Sequence, residues 1–537
     1  MKHGGQQKKA VIVCGEHFVG KTHTINFFLK PLLGIKAGAW TFTIEHWHDG
    51  GVYAQSSEES PRDVDYRISK LLKYTYVVTA CRPKDEEGSH FTEIYLQLRQ
   101  RGYDVVVFEI SRENDEDDKK MIASQAYNHL KSNGEQTYLS FADEVTQIEG
   151  RWHISFDSIL EKDFLNFDFN RTEQNIQRLI LELSTRQIEL VWSEEQYRDF
   201  FSTNEIYGEW FRIRLNDSIS ENRVELYTLE SPEQEPEFLS ALSIEGLRER
   251  SLGGLLKRTF SLSYFAEASH EDISEALGKV DFCSKYCLWV RDVGQGSCAT
   301  IGGDSVDVFF DIGGGITTNK RTYRTPKNFS INEEGLVILS HWDKDHWVSA
   351  LYNPQSYKMT WVVPDQKKLG VSHAKLAINI ASKGRLIKWS SSTVTCVNKP
   401  GVFLYKLPDS SDRNKSGIVA VLQPEESQGV LIPGDAPYDV MPFLNKYTLQ
   451  VIIVPHHGAR FKNNPHPPVA QAKHQLVYSY GLNNSYKHPH PDTENVHKSQ
   501  GWLNEYNTAR DGDILICIHG NCTGNKPRCP YCTLCYL

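Results

Sequence analysis

The most specific pattern in this chain of 537 residues is Val337-Ile338-Leu339-Ser340-His341-Trp342-Asp343-Lys344-Asp345-His346-Trp347. An apolar strand here runs directly into four side chains of metal-binding type, namely His341, Asp343, Asp345 and His346. Imidazole nitrogens and carboxylate oxygens at a strand end are the ligands that two neighbouring divalent cations require. The pattern therefore predicts a metal site, with an ordinary polar loop as the alternative.

Further histidine and aspartate residues follow later apolar strands. Asp435 comes after Val430-Leu431-Ile432-Pro433-Gly434, where the glycine permits a tight backbone turn. The pair His456-His457 follows the strand that ends near Val454, and His488 lies beyond another strand end. A carboxylate such as Asp435 suits a position between two cations, so these residues predict the second half of a two-metal site.

This constellation resembles the metallo-β-lactamase fold, and specifically the hydrolase domain of the bacterial competence DNA-uptake family, over about Cys287 to Ile518. The stretch Asp292-Val293-Gly294-Gln295-Gly296-Ser297 is similar to that family's opening strand and turn. The resemblance implies a four-layer αβ/βα sandwich with a two-metal hydrolytic site at its strand ends. The metal ligands that it implies are His341, Asp343, Asp345, His346, Asp435 and His488, with His456 as a further ligand beside His457.

The chain departs from the broad superfamily pattern in two places. Asp343 stands where that pattern has histidine, and a carboxylate shifts the preference from Zn²⁺ toward Mn²⁺ or Mg²⁺. The usual histidine between the first cluster and the bridging aspartate is not evident, and we interpret His373, which lies in that interval, as a surface residue. We expect two divalent ions, zinc or manganese.

Two cations about 3.5–4 Å apart would acidify a water molecule, orient a substrate and stabilise the charge of a phosphorane-like transition state. We expect Asp345 to position or deprotonate that water. His457 or Tyr486 would stabilise an anionic oxygen or protonate a leaving group. A phosphodiester is the substrate that the resemblance implies.

The amino-terminal part begins with the apolar run Ala10-Val11-Ile12-Val13-Cys14, a glycine loop and a helical segment. Gly15, Gly20, Lys21 and Thr22 match the pattern G-x-x-x-x-G-K-[ST], which cradles phosphates and binds Mg²⁺. This part resembles P-loop NTPases of the nucleoside or nucleotide kinase type, which implies ATP or GTP with magnesium. We predict that Glu109, at a later strand end, organises the magnesium ion; Asp49 is the alternative.

We predict an α/β protein in four parts. Residues 1–190 form a P-loop domain with a parallel sheet, 191–280 a helical connector of unknown function, and 281–516 the αβ/βα sandwich. Residues 517–537 form a cysteine-rich tail whose spacing predicts a structural zinc ion, with free cysteines as the alternative. The predicted zinc ligands are Cys522, Cys529, Cys532 and Cys535.

Charge and hydropathy limit the partners and the location. A formal net charge of −9 argues against a protein that coats nucleic acid, although it leaves room for a local basic groove. The first residues contain no secretory signal core, and no apolar run approaches the roughly 18 residues that a bilayer span requires. We therefore expect a cytoplasmic protein without a membrane partner.

These patterns lead to three functional hypotheses. The first is a metal-dependent nuclease coupled to or regulated by an NTP-binding domain, as in bacterial defence against foreign nucleic acid. The second keeps the metal site but gives it a small substrate, such as a cyclic nucleotide. The third is a nucleotide-switched interaction protein with a vestigial metal site. A basic groove would favour nucleic acid, and a closed pocket would favour the small substrate.

Overall fold

The computed structural model describes most of the chain. The described residues are 8–15, 21–33, 41–47, 50–55, 64–82, 89–111, 114–131, 136–166, 172–201, 206–216, 222–228, 236–248, 252–280, 282, 287–302, 305–316, 319, 322, 328–423, 429–461, 463, 465–472 and 474–517. The chain divides into two compact units, Met1–Gln136 with Leu215–Ser220 and Thr137–Arg214 with Glu221–Leu537. In the described parts, no helix is both long and apolar enough to span a bilayer.

The first unit contains a five-stranded sheet in the order β2-β3-β4-β1-β5. Its strands are β1 (Lys8–Cys14), β2 (Thr41–Trp47), β3 (Gly50–Gln55), β4 (Tyr76–Cys81) and β5 (Tyr103–Glu109). Strand β1 pairs in parallel with β4 and β5, and β4 pairs in parallel with β3. The central run Ala10–Val13 is fully buried, because apolar side chains cover both faces of a parallel sheet.

Helices connect these strands. Helical residues begin with α1 (Lys21–His23), continue through Thr24–Leu29 and end with α2 (Lys30–Leu32). The later helices are α3 (Val64–Leu71), α4 (Phe91–Gln100) and α5 (Glu116–Lys131). The predicted order of strand, glycine and helix is thus present from β1 to α1, as is the predicted helix between β4 and β5.

A closed six-stranded barrel follows, in the order β10-β11-β9-β6-β7-β8. Its strands are β6 (Gln136–Ile148), β7 (Arg151–Leu160), β8 (Thr185–Ser193), β9 (Trp210–Asn216), β10 (Arg223–Thr228) and β11 (Glu237–Gly246). Three helices accompany it: α6 (Glu161–Leu165), α7 (Glu173–Glu182) and α8 (Glu194–Phe200).

The barrel differs from the predicted domain organisation in two ways. Strands β6 to β8 belong to it, so the first unit ends near residue 136 rather than at 190. Residues 210–246, predicted as part of a helical connector, contain strands β9 to β11. In β9, the buried Ile213 and Leu215 alternate with the exposed Arg214. In a strand every second side chain points outward, and here the outward side chains are charged. The segment therefore resembled a polar connector in the sequence.

The rest of the second unit is a sandwich of two seven-stranded sheets. It is preceded by α9 (Leu252–Thr259) and α10 (His270–Gly278). The first six strands are β12 (Cys287–Val290), β13 (Ala299–Gly302), β14 (Val306–Phe310), β15 (Ile331–Ile338), β16 (Thr360–Pro364) and β17 (Arg385–Trp389). The second sheet contains β18 (Thr395–Lys399), β19 (Gly401–Lys406), β20 (Ile418–Gln423), β21 (Gly429–Ile432), β22 (Leu449–Ile453), β23 (Gln475–Tyr478) and β24 (Glu505–Asn507). Strand β25 (Ile514–Cys517) returns to pair with β12 in the first sheet.

The two sheets share one apolar core. Ile338 and Val362 of the first sheet lie in the same buried cluster as Val430 and Val477 of the second. The outer face of the first sheet is covered by α11 (Val371–Lys383). The outer face of the second is covered by residues around Trp502 and by the short turns after β21, near α12 (Pro491–Ser499) and α13 (Thr508–Asp511). This layering is the αβ/βα sandwich that was predicted for 281–516.

The parallel strands bring their carboxyl ends to one edge of the sandwich. In the first sheet β14, β15, β16 and β17 run in parallel, and in the second β21, β22, β23 and β24 do. Because the carboxyl ends of parallel strands meet at one edge, the segments after β14, β15, β21, β22 and β23 converge. All the predicted ligands of the sandwich follow such strands.

Candidate metal centre

The first group of candidate ligands is formed by two imidazoles and one carboxylate. His341 and His346 follow β15, and Asp435 follows β21; all three side chains are buried. His346 Nε2 lies 3.0 Å from Asp435 Oδ1, and His341 Nε2 lies 3.6 Å from Asp435 Oδ2. Their ligand atoms all lie within 4.8 Å of one another, which is compatible with one shared cation.

A second group lies beside the first and shares His346. His457 Nε2 is 3.1 Å from Asp345 Oδ2, and His346 Nε2 is 3.9 Å from Asp345 Oδ1. These three residues also place one ligand atom each within 4.8 Å of the others. The two groups define two adjacent cation positions, and the single Nε2 lone pair of His346 can serve one of them at a time.

Hydrogen bonds hold the far nitrogens of two of these imidazoles, those of His346 and His457. His346 Nδ1 donates to Asp311 Oδ2 over 2.7 Å, and His457 Nδ1 donates to the Ser479 carbonyl over 2.7 Å. Since a carboxylate and a carbonyl only accept, these bonds place the ring proton on Nδ1. Nε2 therefore presents its lone pair to the cavity, as a metal-ligating histidine requires.

The unpaired atoms of this cluster test whether it fits a cation. Within the described part of the chain, Nε2 of His341, His346 and His457 and Oδ1 of Asp435 are buried without a hydrogen-bond partner. A buried polar atom without a partner costs about 1–3 kcal/mol. Lone pairs on Nε2 and Oδ1 that face one another repel unless a proton or a metal cation lies between them, so the cluster fits a metal centre.

Charge in the cluster follows the same logic. Burial opposes protonation of His346, but the carboxylates of Asp435, Asp311 and Asp345 outweigh it and raise the pKa well above its usual value. In turn, the positive charge of neighbouring imidazoles, above all that of His346, outweighs the effect of burial on Asp435. It holds the pKa of Asp435 well below the usual value. The concentration of anionic oxygens is thus balanced by protons when no cation is bound.

Three other predicted ligands lie near the cluster but outside both groups. Asp343 has Oδ1 2.7 Å from Arg413 Nε and Oδ2 3.2 Å from His341 Nε2. His456 is partly exposed, with Nε2 3.4 Å from Asp435 Oδ2. His488 Nδ1 lies 3.1 Å from Gln295 Nε2.

The two residues predicted as catalytic, Asp345 and His457, are both in the second group. His457 therefore lies among the candidate ligands rather than apart from them. The interpretation of His373 as a surface residue is wrong, because it is completely buried on α11. Its Nδ1 accepts a hydrogen bond from the Gly370 backbone over 3.0 Å, and burial lowers its pKa to about 4.

A cavity of about 660 Å³ opens above the cluster. Asp345, Asp435 and His457 line one part of it, and the barrel lines another through residues of β6. The barrel residues are Asp143, Glu144, Thr146, Gln147 and Ile148 of β6, Glu149 just after it, and Ser155 of β7. Basic side chains at the cavity include Arg460 and Lys487, both exposed. The barrel and the sandwich therefore both contribute walls to the cavity above the candidate ligands.

Buried charges connect the barrel to the metal cluster. Lys344, between the candidate ligands Asp343 and Asp345, has Nζ 3.0 Å from Asp143 Oδ2. Arg413 has Nη2 2.8 Å from Asp143 Oδ1 and also contacts Asp343. The Asp143 carboxylate of the barrel thus holds two positively charged side chains of the sandwich, those of Lys344 and Arg413, beside the candidate ligands.

Sequence reasoning missed two kinds of residue here. Asp311 follows β14 and precedes Gly313, so the strand-end rule that found Asp435 would have found it too. No sequence pattern pointed to Asp143 and Glu144, because they lie in the middle of β6 in the barrel and do not follow a strand end of the sandwich.

In the first unit, the described residues of the glycine motif, Gly15, Lys21 and Thr22, lie close to one another. Lys21 is buried, and its Nζ donates a hydrogen bond to the Gly15 carbonyl. Thr22 follows in α1, and Glu109 pairs in register with Cys14, the residue before Gly15. Gly20 and the rest of the loop, 16–19, lie outside the described residues, as do Asp49 and the predicted zinc ligands Cys522, Cys529, Cys532 and Cys535.

Neither a protein-family model nor a curated protein matches this chain. Nine chains of solved structures align with it, including the following two. A mutant of the CmlA beta-hydroxylase has 12% identity and a TM-score of 0.28, with 65% of this chain and 78% of that chain covered. CmlA, a diiron beta-hydroxylase from Streptomyces venezuelae, has 11% identity and a TM-score of 0.27, with 63% and 78% covered. Similarity of this degree does not identify a family for this chain.

Proposed function

We propose that this chain is a metallo-β-lactamase-like hydrolase that uses two divalent cations to cleave a phosphodiester in a substrate of small-molecule size. The observation that carries the proposal is the convergence of three buried, unpaired Nε2 atoms on Asp435 and Asp345 beneath a cavity of about 660 Å³. Small-molecule sites usually measure about 300–1,000 Å³. The cavity therefore favours the small-substrate hypothesis over a polymer groove.

The residues divide the work of this reaction. His341, His346, His457, Asp345 and Asp435 would hold the cations, which polarise a phosphoryl oxygen and make water a better nucleophile. Asp345, at the cavity surface, orients the attacking water through its carboxylate. Asp311 and Ser479 keep the imidazoles in the tautomer that binds a cation, so that no ligand has to reorganise during turnover.

The donor set limits the choice of metal. Imidazole nitrogen with carboxylate oxygen suits zinc, manganese and iron, and the carboxylates favour the harder ions among them. We propose that manganese or zinc supports activity. Metal content of the purified protein, measured together with activity on each ion, tests this directly.

A nuclease acting on a chain end is the second candidate function. Arg460 and Lys487 place two exposed cations at the cavity, where they would contact phosphates beyond the scissile one. A polymer has to enter through this opening, so an exonuclease agrees better with the cavity than an endonuclease. Release of mononucleotides from linear but not from circular DNA or RNA would support this candidate.

We also propose that the first unit binds ATP or GTP with magnesium. The support is the position of Lys21 and Thr22 at the start of α1, directly after β1, with Glu109 beside the end of that strand. A helix start after a buried strand presents backbone N–H groups and a positive dipole end to phosphate. Regulation of hydrolysis by nucleotide is part of the same proposal.

The test compares hydrolysis of bis(p-nitrophenyl) phosphate, cyclic dinucleotides and linear DNA with manganese, zinc, iron or magnesium, with and without ATP. Wild type is compared with Asp435→Asn, Asp345→Ala and Lys21→Ala. The proposal requires metal-dependent turnover that both aspartate variants lose by at least about a thousandfold. Activity that survives a chelator, or full activity in Asp345→Ala, would refute it.

A further inference from the structure

The barrel changes its strand pairing where it meets the cavity. Strand β6 pairs residue by residue with β7 up to Ala142 opposite Phe156, and the pairing resumes with Glu144 opposite Ser155. Asp143 is therefore an extra residue, which makes this position a β-bulge. Bulges redirect side chains and occur often beside active sites. Here Asp143 and Glu144, which are adjacent in sequence, both line the same cavity.

Asp143 uses this position to anchor the barrel. Its carboxylate contacts Lys344 and Arg413, whose side chains are 1% and 3% exposed. These cations outweigh the effect of burial and hold the pKa of Asp143 below its usual value. Because all three groups are buried and charged, the bulge is fixed relative to Asp343 and Asp345.

Glu144 differs from Asp143 in its partner, which is a tyrosine, and in its pKa, which is raised. The Tyr486 hydroxyl donates a hydrogen bond to Glu144 Oε2 over 2.8 Å, so the carboxyl group is held in one orientation. Both residues line the cavity together with Asp345, Asp435 and His457. Burial, and then the charge of Asp345, raises the pKa of Glu144 well above its usual value. The oxygens of a carboxyl group accept hydrogen bonds from hydroxyl groups in either protonation state.

The remaining polar groups of this wall continue along the strand. Thr146, two residues beyond Glu144 on β6 and therefore on the same face of the strand, lines the same cavity. Hydroxyl and carboxyl groups side by side match a ligand with several hydroxyl groups better than an apolar one. The exposed basic side chains of the cavity, Arg460 and Lys487, are in contrast in the sandwich, where a phosphate would bind.

We propose that Glu144 is a specificity residue that hydrogen-bonds a hydroxyl group of the substrate's alcohol part, so that the enzyme selects phosphodiesters of sugars or polyols. The inference rests on the proposed phosphodiesterase function and adds the chemical class of the substrate. In this view the barrel is the substrate-recognition part of the enzyme, whereas the sandwich supplies the cations and the water.

The experiment compares two esters with the same leaving group. Thymidine 5′-(p-nitrophenyl phosphate) carries a sugar hydroxyl, and methyl p-nitrophenyl phosphate carries none. Wild type is compared with Glu144→Ala, Glu144→Asp and Glu144→Gln, and with Glu237→Gln, an exposed carboxylate of the same barrel, as the control. All are assayed as full-length, metal-loaded protein after a melting-temperature check.

We expect Glu144→Ala and Glu144→Asp to lower kcat/KM for the thymidine ester by about 10- to 100-fold, mainly through KM, because a hydrogen bond to substrate is lost. The methyl ester should change less than about twofold. Glu144→Gln keeps a donor and an acceptor and should retain most of the selectivity. An equal loss on both esters, or no loss on either, would overturn the proposal.

Binding separates this inference from the proposed function. If wild type hydrolyses neither ester, phosphodiesterase activity is wrong, and calorimetric titration with thymidine 5′-monophosphate and with methyl phosphate takes its place. Weaker binding of the nucleotide alone in Glu144→Ala supports recognition of the hydroxyl part. Unchanged binding of both ligands would refute it.

Discussion

His346 Nδ1 donates a hydrogen bond to Asp311 Oδ2 over 2.7 Å, with both side chains almost completely buried. His346 belongs to both candidate groups of ligands, so this one contact orients its Nε2 whichever of the two cations it binds. Asp311 also accepts a hydrogen bond from the Ser340 backbone over 2.7 Å, which fixes the carboxylate itself.

Replacing Asp311 should therefore weaken metal binding without removing a ligand. We expect Asp311→Asn to reduce affinity for Mn²⁺ or Zn²⁺ by about 10- to 100-fold, as observed for groups behind metal-bound histidines. Competition with a chelating dye measures the affinity. Asp307→Asn, on β14 just before Asp311 but hydrogen-bonded to Asn332, is the matched control. Equal affinities in the two variants would contradict the role of Asp311.

Asp435 should control how many ions are bound. Its Oδ1 faces His346 and its Oδ2 faces His341, so Asp435 can bridge two cations when His346 serves the second position. We expect Asp435→Asn to bind at most one ion per chain, by elemental analysis after dialysis, where wild type binds two. Asp439→Asn, an exposed neighbour, should keep the wild-type content. Two ions in Asp435→Asn would exclude the bridging position.

Arg413 should be required for stability as well as for the site. Its guanidinium contacts Asp343 and Asp143 at 2.7 and 2.8 Å, whereas a lysine provides a single point charge. We expect Arg413→Lys to lower the free energy of unfolding by about 2–4 kcal/mol, because a single ammonium group cannot contact both carboxylates as the guanidinium does. Denaturant unfolding of the metal-free protein measures the change. Arg510→Lys, in an exposed pair with Asp511, should change it by less than about 1 kcal/mol.

The buried His497 predicts loss of stability in acid. Its Nδ1 donates to the Thr493 carbonyl, its Nε2 accepts from the Tyr438 hydroxyl, and burial lowers its pKa to about 4. Between about pH 6.5 and pH 4 the unfolded chain therefore binds one more proton at this residue than the folded protein does. The free energy of unfolding should fall as the pH is lowered through this window.

In His497→Gln this contribution to the pH dependence should disappear. We expect the loss of stability between pH 7 and pH 4.5 to be smaller than in wild type by about 2 kcal/mol. Urea unfolding at both pH values provides the comparison, and His270→Gln, an exposed histidine, is the control. The same slope in His497→Gln and wild type would show that this histidine titrates normally in the folded protein.

Lys21 predicts the nucleotide behaviour of the first unit. Lys21→Ala removes the ammonium group that lies at the end of β1, so we expect affinity for a fluorescent ATP analogue to fall at least about tenfold. Hydrolysis measured without nucleotide should stay unchanged. Lys120→Ala, an exposed residue of α5, is the control. If Lys21→Ala binds nucleotide as wild type does, the phosphate-binding interpretation of this loop has to be abandoned.

The strands and candidate ligands of residues 287–517 could be predicted because they depend on local pattern. His341, Asp435 and His456 each come three residues after the end of an apolar strand, namely β15, β21 and β22, and parallel strands bring such ends to one edge. The barrel escaped the same reasoning, since the outward arginines of β9 obscure its period of two. His373 was misplaced for a related reason: a single histidine carries no sign of whether its helix face is buried.

What the amino-acid order established was the chemistry of the centre: imidazole and carboxylate at strand ends, in numbers that suit two cations. What came only from the folded chain was the rest of the cavity. Glu144 and Tyr486, 342 residues apart, meet through a hydrogen bond, as do Asp143 and Arg413, 270 residues apart. Local periodicity reports which face of a strand is buried, but not which distant segment buries it. That choice depends on packing and charge pairing over the whole second unit, and it places the barrel over the metal centre.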